Sequence, residues 1–442
     1  MLDIKFIREN IELVKQAGRL KTVNCDVDRL CALDERRRQI QRQLDELRHQ
    51  SKELGSQMAV YRNPKSDWYK RAVAEGASAE RLRAEADELR RRLEQIKSSS
   101  KTLEQDEKGV LGEFDQLMLT VAQPADEGVP VGRTDADNVE LRRVGEPPQF
   151  DFKPKDHVEL GTALGILDIE RGVKLAGTRN YVLCGDLVRL HHAVLRLAMD
   201  MMIERGFQPL HVPVLVRDAM MFGTGWYPFF EDQSYRCERD GLSLAGTAEV
   251  PLTSYHGDEM LDQVELPKKY VAVSPCFRRE AGAGGKDTYG LYRIHAFEKV
   301  EQVIVCGNDR QASIEYHQEI LANAEALVQA LELPYRVVDV CTGDLGPGQA
   351  QKYDIETWMP SRGSYGETHS ASRFYEFQAR RLNLRYRDGE RKVRYCHTLN
   401  NTVVASPRIL IPLLEVHQQP DGSVRIPKAL GCYMNGMDRI EA

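Results

Sequence analysis

Apolar residues recur at seven-residue steps in two long stretches near the start of the chain. Leu33, Ile40, Leu47 and Leu54 mark the first, with Leu30 and Leu44 beside them. Leu82, Leu89, Ile96, Leu103, Val110 and Leu117 mark the second, accompanied by Leu93 and Phe114. A seven-residue period lays one apolar stripe along one side of a helix, so the pattern predicts two long helices burying an a/d seam. Residues 55–64 break the first run, and a second interruption falls near Gly76. Together they predict one antiparallel hairpin closed on itself, a coiled coil about 50–60 Å long at 1.5 Å per residue. Taken alone, the pattern favours a dimerisation or spacer coiled coil. Ahead of it, residues 1 to about 25 read as one short helix, with Ile7, Ile11, Val14 and Leu20 on its apolar side and Gly18 near its end.

From about residue 120 the texture changes. Pro124, Pro130, Pro147, Pro148 and Pro154 punctuate a polar linker, and short β-like runs then alternate with helical ones. Strands are expected over 270–280, 292–305, 335–340 and 393–399, and helices over 187–206 and 314–333. Strands joined through turns with helices interspersed predict an α+β domain on an antiparallel sheet with flanking helices. The chain therefore divides into an N-terminal helical domain (1–120), a linker (121–155) and an α+β domain (156–442).

Of the 442 residues, 42% are hydrophobic and 29% charged, enough apolar material for a sizeable core. A net charge of −6 argues against a generic nucleic-acid coat protein, which would be basic. The charge is not uniform: the hairpin is close to balanced, and the acidic excess lies beyond residue 120. At the hairpin's tip Arg62, Lys65, Lys70 and Arg71 outnumber Asp67 and Glu75, and Tyr61, Trp68 and Tyr69 interleave with them, a combination suited to a phosphate backbone and exposed bases. No run of 18 apolar residues predicts a membrane span, and the N-terminus lacks a signal-peptide h-region. The 9 cysteines form no CxxC pair, which favours free cytosolic thiols over disulfides or a zinc site.

The densest chemistry is Phe277-Arg278-Arg279-Glu280, a Gly-rich turn over 281–285, and a returning segment carrying Tyr292, Arg293, Phe297 and Glu301. Read as strand, loop and strand, it puts Arg278 and Glu280 on one side of the first strand and Phe297 and Glu301 on the second. An arginine can fork onto a phosphate, a glutamate can accept from an exocyclic amine, and an aromatic ring can stack on a purine. An edge hairpin with surface ion pairs is the competing reading. There is no GxxxxGK[ST] and no GxGxxG between strand and helix, so any ATP site lies on a sheet.

These residues closely resemble the second signature motif of class II aminoacyl-tRNA synthetases, in the form found in the seryl-tRNA synthetases. The resemblance spans essentially the whole chain. It includes the helical hairpin, VGEPPQFDFKPKDHVELG in the linker, RGFQPLHVPVLV with Pro213, MFGTG and Thr247-Ala248-Glu249. It continues through the segment ending at Asp344, Glu367-Thr368-His369-Ser370, Phe377-Gln378-Ala379-Arg380-Arg381 and Thr398-Leu399-Asn400-Asn401-Thr402 with Arg408. It implies the class II antiparallel sheet and a ligase that activates L-serine with ATP and passes it to the 3′ end of tRNA(Ser), with tRNA(Sec) as a further acceptor it admits. By the same resemblance Arg278 would hold the α-phosphate and the serine carboxylate, Glu280 would read the adenine amine, and Phe297 and Arg408 would cover the two adenine faces. Arg408 would also reach the γ-phosphate. Glu367 and Ser370 would hold Mg²⁺, and Thr247, Glu249, Glu301 and Thr402 would surround serine. A hairpin gripping tRNA(Ser), a homodimer and a cytoplasmic location are implied likewise. Two other readings remain: a ligase charging a carrier protein, which would be expected to lack the hairpin, and an inactive tRNA-binding paralogue.

The chain departs from the family's common pattern in three places. Its third motif has Leu399-Asn400-Asn401-Thr402-Val403-Val404-Ala405-Ser406-Pro407-Arg408 where LNGSGLAVGR is frequent, keeping the spacing to the arginine but losing the glycines. Pro407 is placed to start a helix, whereas Pro412 would cost that helix a hydrogen bond unless it bends. His369 and Ala371 replace Ser and Cys, and Ala245-Gly246 replaces Ile-Pro.

Overall fold

The computed structural model describes residues 1–282 and 288–441. Most of the Gly-rich turn predicted over 281–285 lies outside the described residues. The chain forms two compact units, one of residues 3–11 and 25–118, the other of residues 1–2, 12–24 and 119–442.

In the first unit, α1 (Ile4–Glu9) precedes α3 (Val27–Arg62), α4 (Asp67–Ala74) and α5 (Ala79–Thr120), while α2 (Ile11–Leu20) falls largely in the second. The single helix expected over residues 1–25 is thus two. Asn10 divides them: its side-chain amide donates to the Phe6 carbonyl and its own N–H to Ile7, so the last carbonyls of α1 are satisfied locally. The break expected over 55–64 is also displaced, because α3 runs through Gly55 to Arg62. A lone interior glycine costs a helix only about 1 kcal/mol. Pro64, which disfavours helical backbone at the residue before it, is what stops the element.

Helices α3 and α5 run antiparallel. Arg29 meets Glu113 at 2.7 Å and Arg36 meets Asp106 at 2.5 Å, so rising numbers on one helix meet falling numbers on the other. Leu30, Leu33, Ile40 and Leu44 are buried with Leu82, Leu89, Val110 and Phe114, which is the seam read from the heptads. Asp34, fully buried, is balanced by Arg8 and Arg37, each at 2.8 Å.

An eight-stranded sheet organises the second unit. Its strands are β1 (Val139–Val144), β2 (Gln208–Pro209), β3 (Lys268–Phe277), β4 (Ala296–Cys306), β5 (Tyr335–Asp339), β6 (Gln351–Met359), β7 (Ser364–Tyr375) and β8 (His397–Ser406). They lie in the order β1-β5-β6-β7-β8-β4-β3-β2, antiparallel throughout except for β2 against β3. The edge strand β1 comes from the stretch whose composition reads as linker. The run over 393–399 is divided: Val393–Tyr395 pairs with Arg385–Arg387 in a separate small sheet, and β8 begins at His397. The chain changes sheets at buried Cys396, whose N–H goes to Leu384.

Two long helices, Gly185–Glu204 and Arg310–Ala330, cover one face of the sheet. Leu187, Leu190, Val194 and Ala198 of the first, and Ile320, Ala324 and Leu327 of the second, join Val271, Val300 and Ile304 of the strands in one core. The helix Leu410–His417 contains Pro412 at its third residue. The N–H groups of a first turn have no partner within the helix, so this proline removes no helical bond and imposes no bend.

Candidate active site

The other side of the sheet opens into a cleft of about 470 Å³, a size suited to a small-molecule ligand. Thr247, Glu249, Arg278, Glu280, Phe297, Glu301, Glu367, Ser370, Thr402 and Arg408 all line it, so every site residue named from the sequence reaches one cavity. Strand geometry explains much of the convergence. Phe297, Lys299 and Glu301 alternate along β4 and share its cleft face, and Glu301 stands across from Thr402 of β8. Glu367 and Ser370 are three apart, which in a regular strand would set them on opposite faces. The β6–β7 register shifts there, Glu356 facing Glu367 and Ile355 facing His369, so Thr368 is an extra residue and the bulge returns both side chains to one face.

Arg278 and Glu280 do not project from β3, which ends at Phe277. They occupy the loop beyond it, where Glu280 has φ 51°, a backbone region uncommon for a side-chain-bearing residue. The reason is local. Arg278 N–H bonds to the His295 carbonyl, whereas His295 N–H turns away to Arg179, so the ladder closes only from Ala296 onward. Arg279 N–H is drawn off to Gln233.

At one end of the cleft the side chains are acidic and hydroxylic. Burial pushes the Glu249 carboxyl up to about 7, and Glu301 adds to the rise; the amide of Gln378 donates to it at 2.7 Å and works the other way. Glu301 is tied to Lys299 at 2.5 Å, both nearly buried, and accepts from Thr402 Oγ1 at 3.4 Å. Gln378 is itself fixed: its amide also donates to the Thr224 carbonyl, and Thr398 Oγ1 donates to its oxygen. Arg278 passes over the middle of the cleft, its Nε bonded to the Gly246 carbonyl at 3.3 Å and its guanidinium 5.4 Å from the Phe297 ring centre. A Cβ on Gly246 would come within 2.8 Å of the Trp226 ring, which gives the Ala245-Gly246 departure a packing reason.

The other end is rich in cations. Arg408 stacks on Tyr292 at 4.6 Å, donates to the carbonyls of Tyr292 and Glu367 at 3.1 Å each, and stands 3.5 Å from the Glu367 carboxylate. The recessed position of Glu367 pushes its carboxyl up, but Arg408, Lys352, Arg278 and Arg293 together hold it below its ordinary value. Arg293 donates to Glu280 at 2.9 Å. Half-buried Lys352 faces Asp354 at 3.2 Å; burial pushes that aspartate's carboxyl up, and its Oδ1 has no hydrogen-bond partner among the described residues. An ionised carboxylate and a hydroxyl brought to one strand face, with Asp344 also on the wall, form an oxygen-only donor set that fits a hard cation such as Mg²⁺.

Lys299, Lys352, Asp354, Gln378 and Trp226 carry roles in this geometry that sequence reading did not assign. Lys299 was legible, being two residues from both Phe297 and Glu301 on an alternating strand. Of the altered positions, His369 is buried and pushed down to about 3 by that burial, so it stays neutral. His295 and His397 lie outside the cleft lining; the first bonds to the Arg278 carbonyl, and the second, buried, pairs with Ser313 at 2.7 Å.

Residues 1–123 match the family model for the seryl-tRNA synthetase N-terminal domain, and residues 235–417 match the class II tRNA synthetase core domain of the G, H, P, S and T enzymes. A serine–tRNA ligase of Deinococcus radiodurans is 44% identical over 99% of this chain and 98% of its own length. One from Rubrobacter xylanophilus is 41% identical over 98% of each. Among solved structures, a seryl-tRNA synthetase of Pyrococcus horikoshii in complex with ATP superposes with a TM-score of 0.86 at 38% identity, covering 100% of this chain and 99% of the other. A Naegleria fowleri cytoplasmic serine–tRNA ligase in complex with AMP gives 0.84 at 32% identity, with 100% and 99% covered.

Proposed function

We infer the chemistry of the cleft from one premise: the chain belongs to the seryl-tRNA synthetase family. It is an ATP-dependent aminoacyl-tRNA synthetase that joins L-serine to tRNA. The observation that carries the assignment of roles is the polarity of the cleft, acidic and hydroxylic at one end and cationic at the other.

Serine enters with its ammonium toward Glu249, Glu301 and Thr247 and its hydroxyl toward Glu301 and Thr402. ATP lies across the sheet with adenine between Phe297 and Arg408, its amine directed to Glu280. Arg278 touches both the serine carboxylate and the α-phosphate, bringing nucleophile and electrophile together. The carboxylate oxygen attacks the α-phosphorus in line, the bond to the β-phosphate bridging oxygen breaks, and seryl-adenylate and pyrophosphate result. The terminal ribose hydroxyl of tRNA(Ser) then attacks the activated carbonyl, its proton passing to a phosphate oxygen of the adenylate, and AMP leaves with the bonding pair. The first step needs no proton transfer from the protein. Positioning and neutralised phosphate charge supply the rate, consistent with a cleft built from arginines and carboxylates rather than a Ser-His-Asp triad. Glu367 and Ser370 would hold Mg²⁺, which when bound supplies positive charge to the triphosphate.

Specificity follows from the same residues. Alanine would leave the Glu301–Thr402 pair facing no hydroxyl, a loss that reaches about 10⁴-fold in sites built this way. Threonine must be excluded by its extra methyl. We assign the hairpin to tRNA recognition and the cytoplasm as location; no described helix is long and apolar enough to cross a membrane. A homodimer completes the reading. Val139 and Leu141 on edge strand β1 are each 47% exposed, apolar surface that a second copy can cover. Light scattering should give twice the monomer mass; a monomer at micromolar concentration would remove that part. The roles are tested by serine-dependent ATP–pyrophosphate exchange: Arg278→Ala should lower it by at least about 10³-fold, and robust exchange by that variant would overturn the assignment.

A further inference from the structure

His191 lies on the Gly185–Glu204 helix, on the side of the sheet away from the cleft, and is almost completely buried. Both of its ring nitrogens are engaged. Nε2 meets Glu298 Oε2 at 2.6 Å and Nδ1 meets Ser406 Oγ at 2.8 Å. The carboxylate can only accept, so Nε2–H donates to Glu298, and the hydroxyl of Ser406 serves Nδ1.

The two partners are not an arbitrary pair. Glu298 and Ser406 stand directly opposite each other in the register of β4 and β8, and theirs is the last rung before the two strands part. On β4 the neighbour of Glu298 is Phe297, whose ring faces the cleft. On β8, Ser406 is followed by Pro407, which has no N–H to continue the ladder, and then by Arg408. The spacing between Phe297 and Arg408 is therefore set at this rung, and one imidazole spans it from below. The helix that carries the imidazole is locked in the core by Leu187, Leu190 and Val194. A rigid element bonded to both sides of a site's framework is what holds a binding constellation to sub-ångström tolerance.

We propose that His191 is a positioning residue for ATP, a strut beneath the sheet that fixes the separation of Phe297 and Arg408, the two walls of the adenine slot. The proposal rests on the assignment of adenine to that slot made above. His191, His192 and Glu298 also bring ligand atoms within 4.8 Å of one another. Because His191 already has a protein partner at each nitrogen, the strut accounts for every polar atom of that residue without an ion.

The test is steady-state exchange with the full-length enzyme, varying ATP and serine separately. His191→Phe keeps the ring's bulk and removes both hydrogen bonds. Its KM for ATP should rise about tenfold while kcat and the KM for serine stay within about twofold, since the serine end lies further along the strands. His191→Gln, which retains an amide donor and acceptor, should recover part of the ATP affinity. Ser406→Ala, a smaller change cutting one arm of the strut, should shift ATP in the same direction by less and serves if His191→Phe does not fold. Unchanged KM for ATP in Ser406→Ala and His191→Phe, or equal rises for ATP and serine, would overturn the strut. Phe297→Ala and Arg408→Ala are the references. If they too leave ATP affinity intact, the adenine assignment itself fails. If they weaken ATP and His191→Phe does not, the strut alone fails.

Discussion

A carboxylate proposed to receive an ammonium ion, as Glu249 is, must be ionised when the substrate arrives, and Glu249 sits at the edge of that condition. Burial, with Glu301 as a neighbour, raises its carboxyl to about 7, whereas Gln378 restrains the rise. Below that pH the free enzyme holds Glu249 neutral; above it the group is charged. We therefore expect kcat/KM for serine to climb as pH increases through about 7. Gln378→Leu, which removes the restraining donor, should move that rise to higher pH, and Glu249→Gln should flatten it while lowering serine affinity. A profile that is flat in the parent enzyme would remove Glu249 from contact with the ammonium. At this scale the sequence was legible where one motif joins residue type to spacing, as with Arg278, Phe297 and Glu301. It was opaque for Lys352 and Asp354, because Glu367, the charge both of them feel, becomes their neighbour only through the pairing of β6 with β7. Likewise, nothing local in the sequence announces that Gly246 is required by Trp226.

Among elements, the heptads of the hairpin could be read because a helix expresses its burial every seven residues. Its end could not be placed from Gly55, since one glycine is a small penalty in a helix of 36 residues. The sheet was visible as strands, but β1 was hidden because it is short, lies in a polar, proline-flanked stretch, and has its Val139-Glu140-Leu141 alternation cut off by Arg142-Arg143; its place comes from pairing with β5. The helix after Arg408 corrects the expectation for Pro412. At the third helical position a proline forfeits no backbone bond, but its ring is buried, so Pro412→Ala should lower unfolding free energy by about 1–2 kcal/mol through the two lost methylenes, measured by denaturant melts. A gain in stability would mean that the proline strains the helix after all. At the hairpin's tip, Tyr61 packs edge-on to Trp68 at 4.6 Å and Trp68 remains 43% exposed beside Lys70 and Arg71. If that surface meets RNA, Lys70→Ala should weaken tRNA binding evenly across serine isoacceptors and reduce the slope of log affinity against log salt by about 1, leaving exchange unchanged. An unaltered slope would take Lys70 off the interface.

For the whole molecule, the net charge of −6 is a poor guide to partners because it sums two unlike units. The hairpin's charges are nearly balanced and its tip is basic, whereas the remainder carries the acidic excess, so tRNA contact is expected to be local and led by shape. The division of labour implies that replacing residues 27–118 with a short linker preserves exchange and collapses tRNA charging. Equal charging with and without the hairpin would contradict the hairpin's role in gripping tRNA. A well-folded protein with no exchange at all would favour a non-catalytic tRNA-binding relative. The most direct test of the account is therefore ATP–pyrophosphate exchange with the purified full-length protein, supplied in turn with serine, threonine, alanine and glycine. Exchange should depend on serine, with kcat/KM for alanine lower by about 10³-fold or more and with threonine and glycine also strongly disfavoured. No exchange with serine, or exchange with alanine as fast as with serine, would contradict it.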